Sequence, residues 1–61
     1  MTEYTKEELE EALRSIDSTI SKCEKALPKL KDNSAQQTLL LLRIKALNIS
    51  ADLIKRELQQ L

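Results

Sequence analysis

The chain has 61 residues, with no glycine, no histidine, one cysteine and one proline, and its ten basic residues balance its ten acidic residues. A chain this short buries little apolar area, and it usually needs a disulfide, a metal ion or a partner chain to be stable. A single cysteine excludes an internal disulfide and the missing histidine removes the commonest zinc ligand, so association with another chain is the remaining source of stability.

The first helix is predicted to begin near Lys6, within the segment YTKEELE. Thr5 can cap the helix and Glu8 lies three residues later, which is the pattern of a capping box. Tyr4 and Leu9 occupy the two positions of a hydrophobic staple. Because glutamates fill the first turns, they also complement the positive end of the helix dipole.

Helix 1 carries one apolar stripe at alternating spacings of four and three residues, which is typical of a helix packed against one neighbour. We call this stripe the hairpin face of helix 1, and it contains Leu9, Leu13, Ile16, Ile20, Cys23, Leu27 and Leu30. Proline removes a backbone donor and clashes with the preceding turn. Pro28 therefore predicts a full helix over about 6–27, followed by a kinked extension or irregular turn to residue 31, and the sequence leaves open whether Pro28 kinks or ends the helix.

The segment KDNSAQQ contains the next turn signal, which places a loop at 32–34 and helix 2 over about 35–60. Ser34 and Gln37 match the pattern of a second capping box. A connection this short makes two helices antiparallel neighbours. The sequence therefore predicts an all-α, antiparallel two-helix hairpin that forms a single domain over 1–61.

Helix 2 differs from helix 1 because it carries two apolar stripes. The hairpin face of helix 2 contains Leu40, Ile44, Leu47, Ala51, Ile54, Leu58 and Leu61. The second stripe lies roughly opposite at the same alternating spacing, and we call it the outer face. The outer face contains Ala35, Leu39, Leu42, Ala46, Ile49 and Leu53. A helix that is apolar on opposite sides is normally covered on both, and helix 1 can cover only one.

The outer face therefore predicts a protein–protein interface, with Leu42 near its centre. A second copy of helix 2 would cover it in a two-fold symmetric homodimer that resembles a four-helix bundle. In the first alternative, the hairpin binds a different protein through the same stripe. In the second alternative, the leucines are simply exposed, because much of any protein surface is apolar.

Three segments, YTKEELEEAL, STISKCEKA and TLL..RIKAL.IS..LI, resemble a group of short, uncharacterised helical-hairpin proteins from Firmicute bacteria. The resemblance covers most of the chain and implies no activity, cofactor or catalytic residue. The chain departs from the group at Gln37, where the relatives carry histidine, and at Leu41 and Leu42, where they carry lysine and asparagine. One hypothesis is an engineered chain whose second helix was resurfaced to create an interface, and natural divergence is the other.

The sequence predicts no enzyme, no cofactor, no metal site and no small-molecule substrate. The acids of the first turns are interpreted as solvated groups that compensate the helix dipole, and they are Glu7, Glu8, Glu10 and Glu11. Cys23 lies on the hairpin face, where a thiol is inert, and the chain has no histidine to act as its base.

Nucleic-acid binding is a third interpretation of a helical-hairpin dimer. This architecture is that of the plasmid copy-number protein ROP, which binds paired RNA loops, although a shared architecture does not carry a function. Lys22, Lys25 and Lys29 form an outward stripe on helix 1. The balanced net charge argues against this interpretation, because the phosphate backbone dominates nucleic-acid affinity.

A membrane partner is not expected, because the longest apolar run, Leu39–Leu42, is far shorter than a membrane-spanning helix. No basic segment followed by an apolar stretch opens the chain as a signal peptide. We therefore expect a cytoplasmic protein.

Overall fold

The computed structural model describes residues 3–61, so residues 1–2 of the predicted domain lie outside the described part. It contains two long α-helices, α1 (Lys6–Ala26) and α2 (Ala35–Gln59), which pack against each other. No strand occurs among the described residues. The predicted all-α helical hairpin is confirmed, and it forms a rod with principal dimensions of 42 × 19 × 16 Å.

The start of α1 has the complete capping box that the sequence predicts. The Thr5 side chain accepts a hydrogen bond from the backbone N–H of Glu8 at 3.1 Å. The Glu8 carboxylate accepts one from the Thr5 N–H at 3.0 Å. Leu9 is buried, whereas Tyr4 keeps 61% of its surface exposed, so the predicted staple buries little of the tyrosine ring.

The end of α1 is tighter and shorter than the predicted kinked extension to Lys31. The α-helix ends at Ala26, and a 3₁₀ turn follows at Leu27–Lys29 with Pro28 near its start. The Leu30 N–H closes this turn on its first carbonyl at 3.1 Å. Because proline cannot donate the next α-helical hydrogen bond, the chain tightens into 3₁₀ geometry and then becomes extended.

The cap of α2 differs from the predicted second capping box. The Ser34 hydroxyl accepts a hydrogen bond from the Gln37 N–H at 3.1 Å, as expected. The Gln37 side chain, however, accepts from the N–H of Asn33 at 2.7 Å. The Ser34 N–H donates instead to the carbonyl of Lys31 at 3.3 Å. Asn33 has a positive φ of 61°, which asparagine tolerates, and this turn directs its N–H toward the start of α2.

The core lies between the two hairpin faces, and it is thin. All seven hairpin-face residues of the first helix are at least half-buried, as are six of the seven in the second. The exception is Leu61, which lies beyond the end of α2 and is 66% exposed. Among the described residues, only Leu9 and Ala51 are fully buried apolar side chains. Two helices cover each other from one side only, so the other core residues keep some contact with water.

Candidate protein interface on the outer face of α2

The outer face of α2 is exposed along its whole length, because α1 covers the opposite side of the helix. All six of its residues are exposed. The exposed fractions of its four large side chains are 62% for Leu39, 58% for Leu42, 51% for Ile49 and 56% for Leu53. The six residues predicted as an interface therefore lie together on one uncovered apolar stripe.

The run of four leucines at 39–42 is divided between the faces of α2. Leu40 is half-buried against α1, whereas Leu39 and Leu42 point away from it on the outer face. Leu41 lies at the edge of the hairpin face and is 48% exposed. Three of the four leucines are thus left uncovered by α1, and two of these belong to the outer face.

The outer face is uninterrupted, because α2 runs for 25 residues without proline or glycine. A helix of this length extends about 37 Å, and the outer-face residues span about 27 Å of it. Polar side chains near the stripe bond to their own helix. Ser50 donates to the carbonyl of Ala46 at 2.9 Å, and Thr38 donates to that of Ser34 at 3.2 Å. A partner helix of similar length would meet a regular surface.

Two polar rows border the outer face, one on each side. The first flank contains Thr38, Lys45, Asp52 and Gln59. The second flank contains Gln36, Arg43, Ser50 and Glu57. Each flank carries one base and one acid, and all four of these charged residues are exposed. Flanking charges of both signs set the orientation and register of helix pairs, so the outer face has the composition of a helix-pairing surface.

An open depression of about 240 Å³ lies at the loop end of the hairpin. Its lining residues are Ala26, Leu30, Gln36, Leu39, Leu40 and Arg43. Ligand pockets in proteins usually enclose roughly 300–1,000 Å³, so this depression is small for a cofactor or substrate. It continues the outer face at Leu39 and reaches the second flank at Gln36 and Arg43. The sequence pattern did not indicate this feature, because its walls come from both helices and the 3₁₀ turn leads into it.

Other candidate sites are few in the part of the chain that the structure describes. Residues 3–61 contain no group of three or more His, Cys, Asp or Glu side chains arranged to hold a metal ion. Cys23 is a half-buried free thiol on the hairpin face. Neither α1 nor α2 has the length and apolar character that crossing a membrane requires.

No protein-family model, curated protein or solved structure matches this chain. The resemblance to Firmicute hairpin proteins and the hypothesis of a resurfaced helix stay predictions. The exposed stripe and the two charged flanks of α2 are therefore the features of the molecule that bear on its function.

Proposed function

We propose that the protein is a non-enzymatic protein–protein interaction module that forms a symmetric homodimer through the outer face of α2. One observation carries this proposal. Four large apolar side chains at heptad spacing each keep at least 51% of their surface exposed on a single uninterrupted helix. Contiguous exposed apolar stripes on a helical protein usually mark a surface that another protein covers.

The exposed area of the single chain supports a partner. The chain exposes 5192 Å² at a mass of 7.0 kDa. A compact monomer of that mass exposes about 4,000 Å², so the excess is about 1,200 Å². A standard protein interface removes about 800 Å² from each partner. A second chain on the outer face would therefore bring the exposed area of the hairpin close to that of a compact domain.

The thin core of the hairpin also favours association. Two fully buried apolar residues are few for a chain that must offset the conformational entropy of ordering its backbone. Complete burial of a leucine or isoleucine side chain contributes about 1.5–3 kcal/mol. In a symmetric dimer each outer-face residue is buried twice, once in each copy, so the gain from every side chain is doubled.

The proposed dimer places the two copies of α2 at its centre and the two copies of α1 outside. This order follows because the outer face and the hairpin face lie on opposite sides of α2. The assembly has four helices, with each α1 packed on its own α2. Closure by two-fold symmetry makes the assembly finite, because each copy uses the same patch and none is left over.

The first test is the absolute molar mass in solution, measured by light scattering on a sizing column over a concentration series. We expect a dimer at micromolar concentration for the unchanged chain and a monomer for Leu42→Asn, because the asparagine places an amide in the centre of the apolar contact. Leu41→Asn is the matched control. It makes the same change one residue away, at 48% exposure but off the outer face, and it should remain dimeric.

Three other results, two from this test and one from the addition of paired RNA loops, would contradict or redirect the proposal. A chain that stays monomeric at every concentration would contradict the homodimer and make a different protein the partner of the stripe. If Leu41→Asn dissociated the dimer and Leu42→Asn did not, the interface would lie at the edge of the hairpin face and not on the outer face. A complex with paired RNA loops that weakens steeply with salt and is lost when Lys22, Lys25 and Lys29 are replaced would support the ROP-like function.

A further inference from the structure

We infer that the outer face is covered by the outer face of a second copy running antiparallel, in the register that sets Lys45 against Asp52 of the partner subunit. The inference rests on the proposed function. It adds the orientation of the partner helix, its register and the charged residues that select it. The reasons are the length of α2, the order of small and large residues, and the charges on the two flanks.

The first reason is overlap. Two antiparallel copies of a 25-residue helix overlap fully when their two-fold axis passes near the middle of each. An axis between Leu47 and Asn48 achieves this overlap for Ala35–Gln59. In this register Leu42 packs against the partner's Leu53, and Ala46 packs against Ile49 of the partner subunit. Ala46 against Ile49 is a small residue facing a large one, which lets the two backbones approach closely near the axis. The same axis sets Leu39 against the aliphatic stem of Arg56 of the partner subunit.

The second reason is the charge on the first flank. In an antiparallel helix pair each flank faces the same flank of the other copy. Lys45 and the partner's Asp52 then lie at nearly the same level, because helical side chains tilt toward the N-terminus of their own helix. The two-fold axis repeats the contact, so the dimer contains two such pairs.

The second flank also brings a base of one copy toward an acid of the other in the same register. Arg43 faces the partner's second flank at a level between Ser50 of the partner subunit and Glu57 of the partner subunit. Glu57 of the partner subunit would therefore lie over the depression at the loop end, whose rim includes Gln36 and Arg43. An amide and a guanidinium are both donors that a carboxylate accepts. This contact gives the depression a role within the interface.

The basic residues of both flanks have no acidic neighbour at helical spacing on their own helix. The residues three and four positions from Lys45 are Leu41, Leu42, Asn48 and Ile49. Those three and four positions from Arg43 are Leu39, Leu40, Ala46 and Leu47. Neither base can therefore form the usual i,i+3 or i,i+4 ion pair within α2. An acid from another chain can take that place, and the acids of the flanks are Asp52 and Glu57. Asp52 also has Lys55 and Arg56 at these spacings on its own helix, so the pair with Lys45 competes with pairs inside α2.

The competing arrangements bring like charges together. Shifting the antiparallel register by one heptad matches all six apolar residues with each other, but it sets Lys45 against the partner's Lys45 and shortens the overlap of the helices. In a parallel pair the first flank of one copy faces the second flank of the other, and residues five positions apart meet. Asp52 would then face the partner's Glu57, and the two-fold axis would repeat this contact between two acids. Like charges at such positions disfavour these two arrangements relative to the proposed register.

Charge reversal tests the register through the dimer dissociation constant, measured at low salt. Lys45→Asp and Asp52→Lys should each weaken the dimer about tenfold or more, because each turns two attractions into two repulsions. The double variant Lys45→Asp/Asp52→Lys restores both pairs and should bind within about threefold of the unchanged chain. Lys22→Asp is the control for net charge, since it makes the same change on the outward side of α1.

The outcomes separate this inference from the proposed function. An unchanged chain that is monomeric would overturn both proposals. A dimer that the single variants weaken and the double variant does not rescue would overturn the register alone. Weakening by Lys22→Asp to the same extent would show an effect of net charge and would also overturn the register.

Cysteine cross-linking gives a second measurement that does not depend on charge. Each chain carries Cys23→Ser and one new cysteine. We expect a disulfide when Ala46→Cys chains are mixed with Ile49→Cys chains, and none when either variant is oxidised alone. A disulfide in a mixture of Leu42→Cys and Ala46→Cys would establish the shifted register instead. Self-linking of the Ile49→Cys variant would establish a parallel pair. Either of these results would overturn the inference.

Discussion

The two helices of the hairpin have the same heptad spacing on the side where they meet, and they differ on the side that faces away. In α1, ten of 21 residues are charged, and they make the surface beyond the hairpin face polar. In α2, six of 25 residues are charged, and a second apolar stripe occupies the outer side. A helix such as α1 needs one neighbour, whereas a helix such as α2 needs two. The hairpin supplies only one of those two neighbours.

The largest expected difference between the two sides of the hairpin comes from truncating a leucine on each. Leu9 is 7% exposed and Leu53 is 56% exposed. Leu9→Ala should lower the free energy of unfolding by about 2–3 kcal/mol, because it leaves a cavity in a thin core. Leu53→Ala should cost less than about 0.5 kcal/mol when the protein is dilute and monomeric. Denaturant unfolding measures both, with the protein at a concentration well below dimer formation.

Leu9→Ala and Leu53→Ala should also differ in how their stability to unfolding changes at high protein concentration. Dimer formation stabilises the folded chain by mass action, so unfolding becomes dependent on concentration. Leu53→Ala should reduce the dependence of the unfolding midpoint on protein concentration. Leu9→Ala should keep that dependence and lower the midpoint at every concentration. An unfolding midpoint of the unchanged chain that does not move between low and high concentration would contradict a dimer at the outer face.

A smaller effect is expected from enlarging an alanine on each side of α2. Ala51 is 3% exposed at the contact with α1, and Ala46 is exposed on the outer face. Ala51→Leu should destabilise the hairpin by about 1–3 kcal/mol, because the added side chain forces the helices apart. Ala46→Leu should leave the thermal stability of the dilute monomer nearly unchanged. Equal losses for both would mean that Ala46 is also packed within one chain.

The smallest expected effect compares the two helix caps. Thr5 caps α1 with a reciprocal pair of hydrogen bonds, whereas Ser34 accepts one bond and its own N–H is engaged elsewhere. The double variant Thr5→Ala/Glu8→Ala removes both bonds of the box and should cost about 1 kcal/mol, because the Thr5 N–H and the Glu8 N–H each lose their acceptor. Ser34→Ala should cost somewhat less, about 0.5 kcal/mol. Thermal unfolding of the two variants side by side measures the difference.

Much of the fold could be predicted from local signals. Thr5 and Glu8 mark the start of α1, and Ser34 marks the start of α2, because a cap is a contact between residues three positions apart. The heptad spacing of both hairpin faces predicts which residues are covered, since the period of a helix is built into its geometry. The six outer-face residues were found in the same way.

The details that could not be predicted lie at the ends of the helices, where the outcome depends on how the folded chain closes each turn. The Gln37 side chain accepts from the N–H of Asn33 and not from that of the cap residue Ser34, which donates to the Lys31 carbonyl. The end of α1 was predicted as a kinked extension, and the tightening into a 3₁₀ turn depends on how the chain closes around Pro28. Leu61 was predicted on the hairpin face, but α2 ends at Gln59 and leaves it exposed.

Residue types and their spacing specify two heptad helices, of which the second has an apolar stripe on each side. These properties depend on residue type and spacing along one helix, so they need no knowledge of the neighbours. How completely the hairpin faces are covered depends on the packing of the two helices. This packing buries two apolar side chains fully and leaves the outer face open, because two helices can shield each other along one line of contact only. It also brings Ala26 and Leu30 beside Gln36 and Leu39 to form the depression, a juxtaposition that exists only after the chain has turned back on itself.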